Sequence, residues 1–186
     1  MLRPTVLALA AAVAAALSGT ASAQANKLFT GQGYIRVLNS STVDAAVPSA
    51  AVGCLDATGA ATASDCAVFT RVDEYPRVVR SPLGNCSFSD EDMPVNSDSV
   101  YGRRNHAWSC RAGSPARDVD QFASIDGLDY PLICNMAVNC FYDIERAPEG
   151  DDRLPVWQFV WGSMEMGVPP GHLKTAWLWE PIQESA

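Results

Sequence analysis

Histidine is scarce in this chain: two occur among 186 residues, and neither lies at ligand spacing from the other. That excludes most multi-histidine metal centres. Basic residues are also in deficit, with 13 Lys and Arg against 21 Asp and Glu, a formal net charge of -8 and a pI near 4.6. An acidic chain repels a phosphate backbone, so no nucleic-acid surface is expected. No Cys-x-x-Cys pair occurs, which together with the histidine count argues against zinc and leaves no metal or cofactor expected. Helical periodicity is sparse, and there is no repeat at a fixed period. Beyond the N-terminus no apolar run approaches the roughly 20 residues of a membrane span.

What is present begins with a targeting signal. Arg3 supplies a positive start, Val6 to Leu17 is an alanine-rich apolar run, and Ala21-Ser22-Ala23 gives a small-x-small cleavage pattern. The sequence therefore predicts a signal peptide over 1–23 and a single secreted domain over 24–186. All six cysteines, Cys54, Cys66, Cys86, Cys110, Cys134 and Cys140, fall in that domain. An even number in an oxidising compartment points to three disulfides. Pairing of sequence neighbours is the simplest of the 15 connectivities that six cysteines allow, and the others stay open. Asn39-Ser40-Ser41 is a glycosylation sequon, which places Asn39 at the surface if it is modified.

Short apolar runs broken by Gly, Pro, Asn, Asp and Ser predict many short strands. They fall at Gly33 to Leu38, Val52 to Leu55, Cys66 to Val72, Arg77 to Arg80, His106 to Cys110, Tyr130 to Cys134, Asn139 to Ile144, Val156 to Trp161 and Leu173 to Trp179. The turn residues Asp56-Ala57-Thr58-Gly59 make the second and third of these a hairpin. Ser81 to Asn85 reads as a turn, Ser89 to Asn105 as a long acidic surface loop, and Asp118 to Ile125 as one helical turn. About nine short strands with three bridges predict an all-β, disulfide-bridged sandwich or barrel, expected to be a monomer.

Gly33-Tyr34-Ile35-Arg36-Val37, then Gly53-Cys54-Leu55-Asp56-Ala57-Thr58-Gly59, then Cys66-Ala67-Val68-Phe69-Thr70 form an ordered set of motifs. Ser81-Pro82-Leu83-Gly84-Asn85-Cys86 and Ala176-Trp177-Leu178-Trp179 extend it. The set resembles the small C-terminal extension domain of secreted fungal ribonucleases of the T-two family, and stand-alone secreted proteins built from that domain. The resemblance implies an all-β module that accompanies an enzyme. The ribonuclease histidine motifs, His-Gly-Leu-Trp-Pro and Lys-His-Gly-Thr-Cys, do not occur. The bland Ala60-Ala61, the stretches Ser40–Ala50 and Ser89–Asn105, and the pair Cys134/Cys140 depart from the pattern.

Three functional classes compete. Trp157, Phe159 and Trp161 alternate along one expected strand, as Trp177 and Trp179 do along the last, so each set shares a face. Such rings serve either as core or as platforms for sugars. In the second role Trp108, Trp157, Trp161, Trp177 and Tyr142 are the candidate ligand-binding residues, and a cell-wall or surface glycan is the expected partner. A hydrolase would need two converging carboxylates, with Asp143, Glu145, Asp151, Asp152 and Glu165 available. A protein-binding effector would need only an exposed apolar patch. Asp90-Glu91-Asp92 lacks the spacing of a calcium loop. His106 and His172 stand in no nucleophile motif. The reading favoured by the sequence is a non-catalytic carbohydrate-binding module.

Overall fold

The computed structural model describes residues 29–125, 127–136, 140–162, 164 and 166–182. The expected signal peptide, Asn139 and Glu165 lie outside the described residues. Twelve strands form one antiparallel sheet: β1 (Gln32–Asn39), β2 (Ala51–Leu55), β3 (Ala61–Thr62), β4 (Phe69–Arg71), β5 (Val79–Ser81), β6 (Gly84–Ser87), β7 (Ser109–Arg111), β8 (Phe122–Ser124), β9 (Leu132–Asn135), β10 (Phe141–Ile144), β11 (Trp157–Gln158) and β12 (Leu173–Pro181). The only helical pieces among the described residues are 3-10 turns at Pro48–Ala50 and Asp118–Asp120. The all-β expectation is thus met with more strands than nine.

The longest strands, β1 and β12, pair along seven positions from Gly33↔Pro181 to Asn39↔Thr175. Each then shares its second edge between two partners. β1 takes β4 near its start and β2 further on, and β12 takes β10 and then β9. The main path runs β11-β10-β12-β1-β4-β5-β6-β7 without closing.

This branching lets the sheet wrap a core. Every strand except β11 sends a residue into one cluster that includes Ile35, Leu55, Phe69, Val79, Phe122, Ile133, Tyr142, Trp177 and Trp179. The period of two explains how β12 serves two faces. Trp177 and Trp179 enter this cluster, while Ala176 and Leu178 pack with Leu38, Ala46 and Leu132 on the other side. Phe88, Trp108, Tyr142 and Trp177 are centred on one another at 3.6–6.2 Å, with Tyr142 stacked on Trp177 at 3.6 Å.

The disulfides join Cys54–Cys66, Cys86–Cys110 and Cys134–Cys140. Cys86 and Cys110 are direct cross-strand partners of β6 and β7. Cys134–Cys140 ties β9 to β10, the two strands that share one edge of β12.

Three local expectations need correction. β2 pairs with β3, not with the Phe69 strand, which lies between β1 and β5. The Asp56–Gly59 turn is real. Asp56 Oδ1 accepts from Thr58 N–H at 2.9 Å and Ala60 N–H at 3.1 Å, and Arg153 Nε pairs with Oδ2 at 2.8 Å. It closes a tighter hairpin because Ala61–Thr62 is too short to register as a strand by pattern. The Asp118–Ile125 helical turn stops at Asp120, and Phe122–Ser124 then pairs with β9. The expected Ser81–Asn85 turn narrows to Pro82 and Leu83, with Ser81 and Gly84 paired. Gly84 sits at φ 144° against the Arg111 carbonyl, where a Cβ would lie 2.2 Å from that oxygen.

Candidate functional site

The aromatic residues expected to meet a ligand divide sharply. Trp108, Tyr142 and Trp177 are fully enclosed, and Trp157 is buried. A sugar platform must turn its ring face to solvent, so these four are corrected to core residues. Tyr142 Oη donates to the Ile133 carbonyl at 3.0 Å, and burial drives its pKa well upward. Trp157 Nε1 donates to the Pro94 carbonyl at 3.0 Å, and its ring stacks on His172. The expected alternation of Trp157 and Trp161 fails because β11 ends at Gln158. Phe159 N–H still reaches the Phe141 carbonyl at 3.1 Å, but Trp161 turns outward, 66% exposed.

Trp161 is therefore the one predicted ligand-binding residue at the surface. It does not stand alone. Tyr101, Met164 and Met166 are exposed too, the methionines at 81% and 76%. Tyr101 is fixed to the Trp161 segment in two ways. Met164 N–H donates to its hydroxyl at 3.0 Å, and its ring lies against Gly162 so closely that a Cβ there would be 2.2 Å from a ring carbon. The site thus consists of two loops, one before β7 and one after β11, locked together by a glycine and a phenol.

The first of these loops is the acidic stretch expected to be a solvated surface loop. It is anchored instead. Asn96, almost fully buried, donates through Nδ2 to Asp143 Oδ2 at 2.7 Å. Asp143 Oδ1 meets His172 Nδ1 at 2.8 Å, and His172 Nε2 faces Asp98 Oδ2 at 3.7 Å. His106 Nδ1 contacts the Met93 carbonyl at 2.9 Å. Asp90 and Asp92 both pair with Arg111, at 2.9 and 2.7 Å. Asp90, Asp92, Asn96 and Asp98 of the loop thus fasten it to the sheet and its flanks.

The Asp143–His172 pair has the form of an imidazole oriented by a carboxylate, but both side chains are buried and their partners are the loop residues Asn96 and Asp98. Sequence reading set His172 aside as a strand-end residue, because Asp143 lies 29 positions away and only the β10–β12 pairing joins them. Asp143 and Glu145, candidates for a carboxylate pair on one face, are separated. Asp143 points inward from β10, while Glu145 lies past the end of that strand and is exposed. Asp152 binds Arg146, which with the Glu149 N–H lowers its pKa to about 2. Asn39 is exposed at the end of β1, as a glycosylation acceptor requires.

Fold and site together define a disulfide-bridged all-β protein with an anchored surface loop. The three bridges are consistent with an extracellular protein, and among the described residues no helix is long and apolar enough to cross a membrane. Compared with family models, curated proteins and solved structures, the chain finds no significant match.

Proposed function

We propose that the protein is a secreted, non-catalytic binding module whose contact surface is the Trp161–Tyr101 pair and whose ligand is a cell-wall or surface carbohydrate. The observation that carries this reading is Trp161. It is a large ring exposed beside a second ring held in place by Gly162 and Met164. A preset aromatic surface is what stacking against a sugar face requires, since ordering costs are met before the ligand arrives. The resemblance to a ribonuclease extension domain supports an accessory role of this kind.

The test is binding of the mature protein to a panel of soluble and insoluble glycans, read by pull-down and tryptophan fluorescence. With the other four tryptophans buried, a collisional quencher should reach Trp161 preferentially. Ligand should protect that fraction, and Trp161→Ala should abolish both binding and protection while leaving the fold intact. No retention on any glycan would refute the proposal.

A protein partner is the second reading, favoured by Met164 and Met166. Exposed, flexible thioethers adapt to apolar protein surfaces. Binding that survives Trp161→Ala but is lost in a Met164→Ser, Met166→Ser double variant would select it.

A further inference from the structure

The two segments that carry the exposed rings also line a cleft of about 170 Å³. Phe88 beyond β6, Arg104 and His106 ahead of β7, Asp120 before β8 and Gln158 on β11 converge on it. Phe88 gives it an apolar wall with rigid backing, for its ring stacks on Trp177 at 6.2 Å and 15° and packs on Trp108, Phe122 and Tyr142. The buried tryptophans therefore support this cleft from behind.

Three of its lining side chains offer acceptors. His106 Nδ1 donates to the Met93 carbonyl, so in the neutral ring Nε2 is the acceptor. Gln158 Nε2 donates to Asn135 Oδ1, which leaves its carbonyl oxygen free of that bond. Asp120 is 1% exposed. Its Oδ1 accepts from Phe88 N–H at 3.3 Å, the Ser87 hydroxyl acts on the same carboxyl, and Oδ2 is enclosed without a well-formed hydrogen bond. A buried polar atom left in this state is costly, and a ligand that donates to it removes the cost. Arg104, exposed at the rim, supplies donors, as do the Ser89 hydroxyl and the Asn105 amide along the lining. An anion would face two acceptors and a carboxyl group. A ring carrying several hydroxyls, each donor and acceptor, matches both the acceptors and the apolar wall.

We infer that this cleft is a subsite for one uncharged sugar ring, adjoining the Trp161 platform. The inference rests on the carbohydrate reading and extends it. Gln158 and Trp161 are three residues apart, so their Cα atoms lie within about 11 Å, and one short oligosaccharide can engage both.

The experiment is amide-resolved NMR titration of the mature protein with glucose, mannose, galactose and N-acetylglucosamine and their short oligomers, with inorganic phosphate as the anionic probe. Saturable shifts at Phe88, His106 and Gln158 are expected with a sugar and not with phosphate. Arg104→Ala, a surface change, and Gln158→Ala should each weaken that binding at least tenfold. Shifts confined to Trp161 and Tyr101 would overturn the subsite while leaving the platform. Shifts at the cleft alone would support the subsite and refute the platform. Phosphate binding in the cleft in preference to sugar would overturn the subsite, and silence with every sugar would overturn both.

Discussion

Trp177 and Trp161 are the same side chain placed in opposite surroundings. Trp177 lies on β12, the strand bonded to three others, and is enclosed by Tyr142, Trp108, Phe88 and Phe122. Trp161 follows a two-residue strand at the end of the sheet path and is exposed. Ring content does not separate core from surface in this protein; what packs over each ring does. The aromatic interior has its own cost, because the indole N–H groups of Trp108, Trp177 and Trp179 are buried without a partner. The cluster they sit in gathers residues from eleven strands, with rings from β4, β8, β10 and β12.

The widest gap between the two regions should appear on truncation. Trp177→Ala removes the centre of the cluster and is expected to cost about 3–5 kcal/mol, a large share of a typical domain stability of roughly 5–15 kcal/mol. Trp161→Ala should change stability by about 0.5 kcal/mol or less. Urea unfolding of the two variants checks this directly, and a comparable loss in both would erase the distinction.

The disulfides offer a second comparison, between a long and a short closure. Cys86–Cys110 joins positions 24 apart and lies against the aromatic core, while Cys134–Cys140 closes a six-residue separation. Loop entropy alone makes the longer closure worth about 1 kcal/mol more. A Cys86→Ala, Cys110→Ala pair of substitutions should therefore destabilise more than the equivalent pair at 134 and 140, as measured by midpoint shift in guanidinium.

These contrasts show which features were legible in the sequence. The β-class was readable because apolar runs are short and turn residues punctuate them, and β1 and β12 were placed within two residues at every end. β3, β6 and β8 escaped because strands of two to four residues carry little period, and the last two lie where a turn and a helical turn were expected. The platform prediction failed at Trp157 and Trp177 for a related reason. Alternation says which residues share a face, but not whether a second layer covers that face. Phe88, the ring that covers Trp177, stood in a stretch without rhythm. The Asp143–His172–Asn96 network and the cleft around Asp120 were invisible because their members come from segments far apart, joined only by strand pairing. Trp161 was identified for the wrong reason. It is exposed because the strand ends, not because the strand presents it.

A third test uses two carboxylates displaced in opposite directions. Burial raises the pKa of Asp120, against the weaker opposing effects of the Ser87 hydroxyl, the Phe88 N–H and Arg117. The folded state then holds its proton more tightly than the unfolded state. Its stabilising contribution is present below the unfolded pKa, about 3.9, and is lost as pH rises through the folded value. Asp120→Asn should accordingly raise the melting temperature at pH 7 and leave it nearly unchanged at pH 3. An equal change at both would show that the carboxyl is not desolvated.

Asp152 should behave in the opposite sense and with the smallest amplitude. Its carboxylate pairs with Arg146 and accepts the Glu149 N–H at 2.9 Å in a solvated turn, and its pKa falls to about 2. The stabilisation it provides is complete above the unfolded value of about 3.9 and fades as pH drops through about 2. Because solvent screens an exposed pair, the gain in stability is small, and the titration itself is the sensitive readout. Carboxyl-detected NMR should show Asp152 titrating near pH 2 in the native protein and moving toward about 3.9 in Arg146→Ala, with the amides around Trp161 unperturbed. A pKa that stays near 2 in that variant would transfer the effect to the Glu149 N–H and to the turn itself.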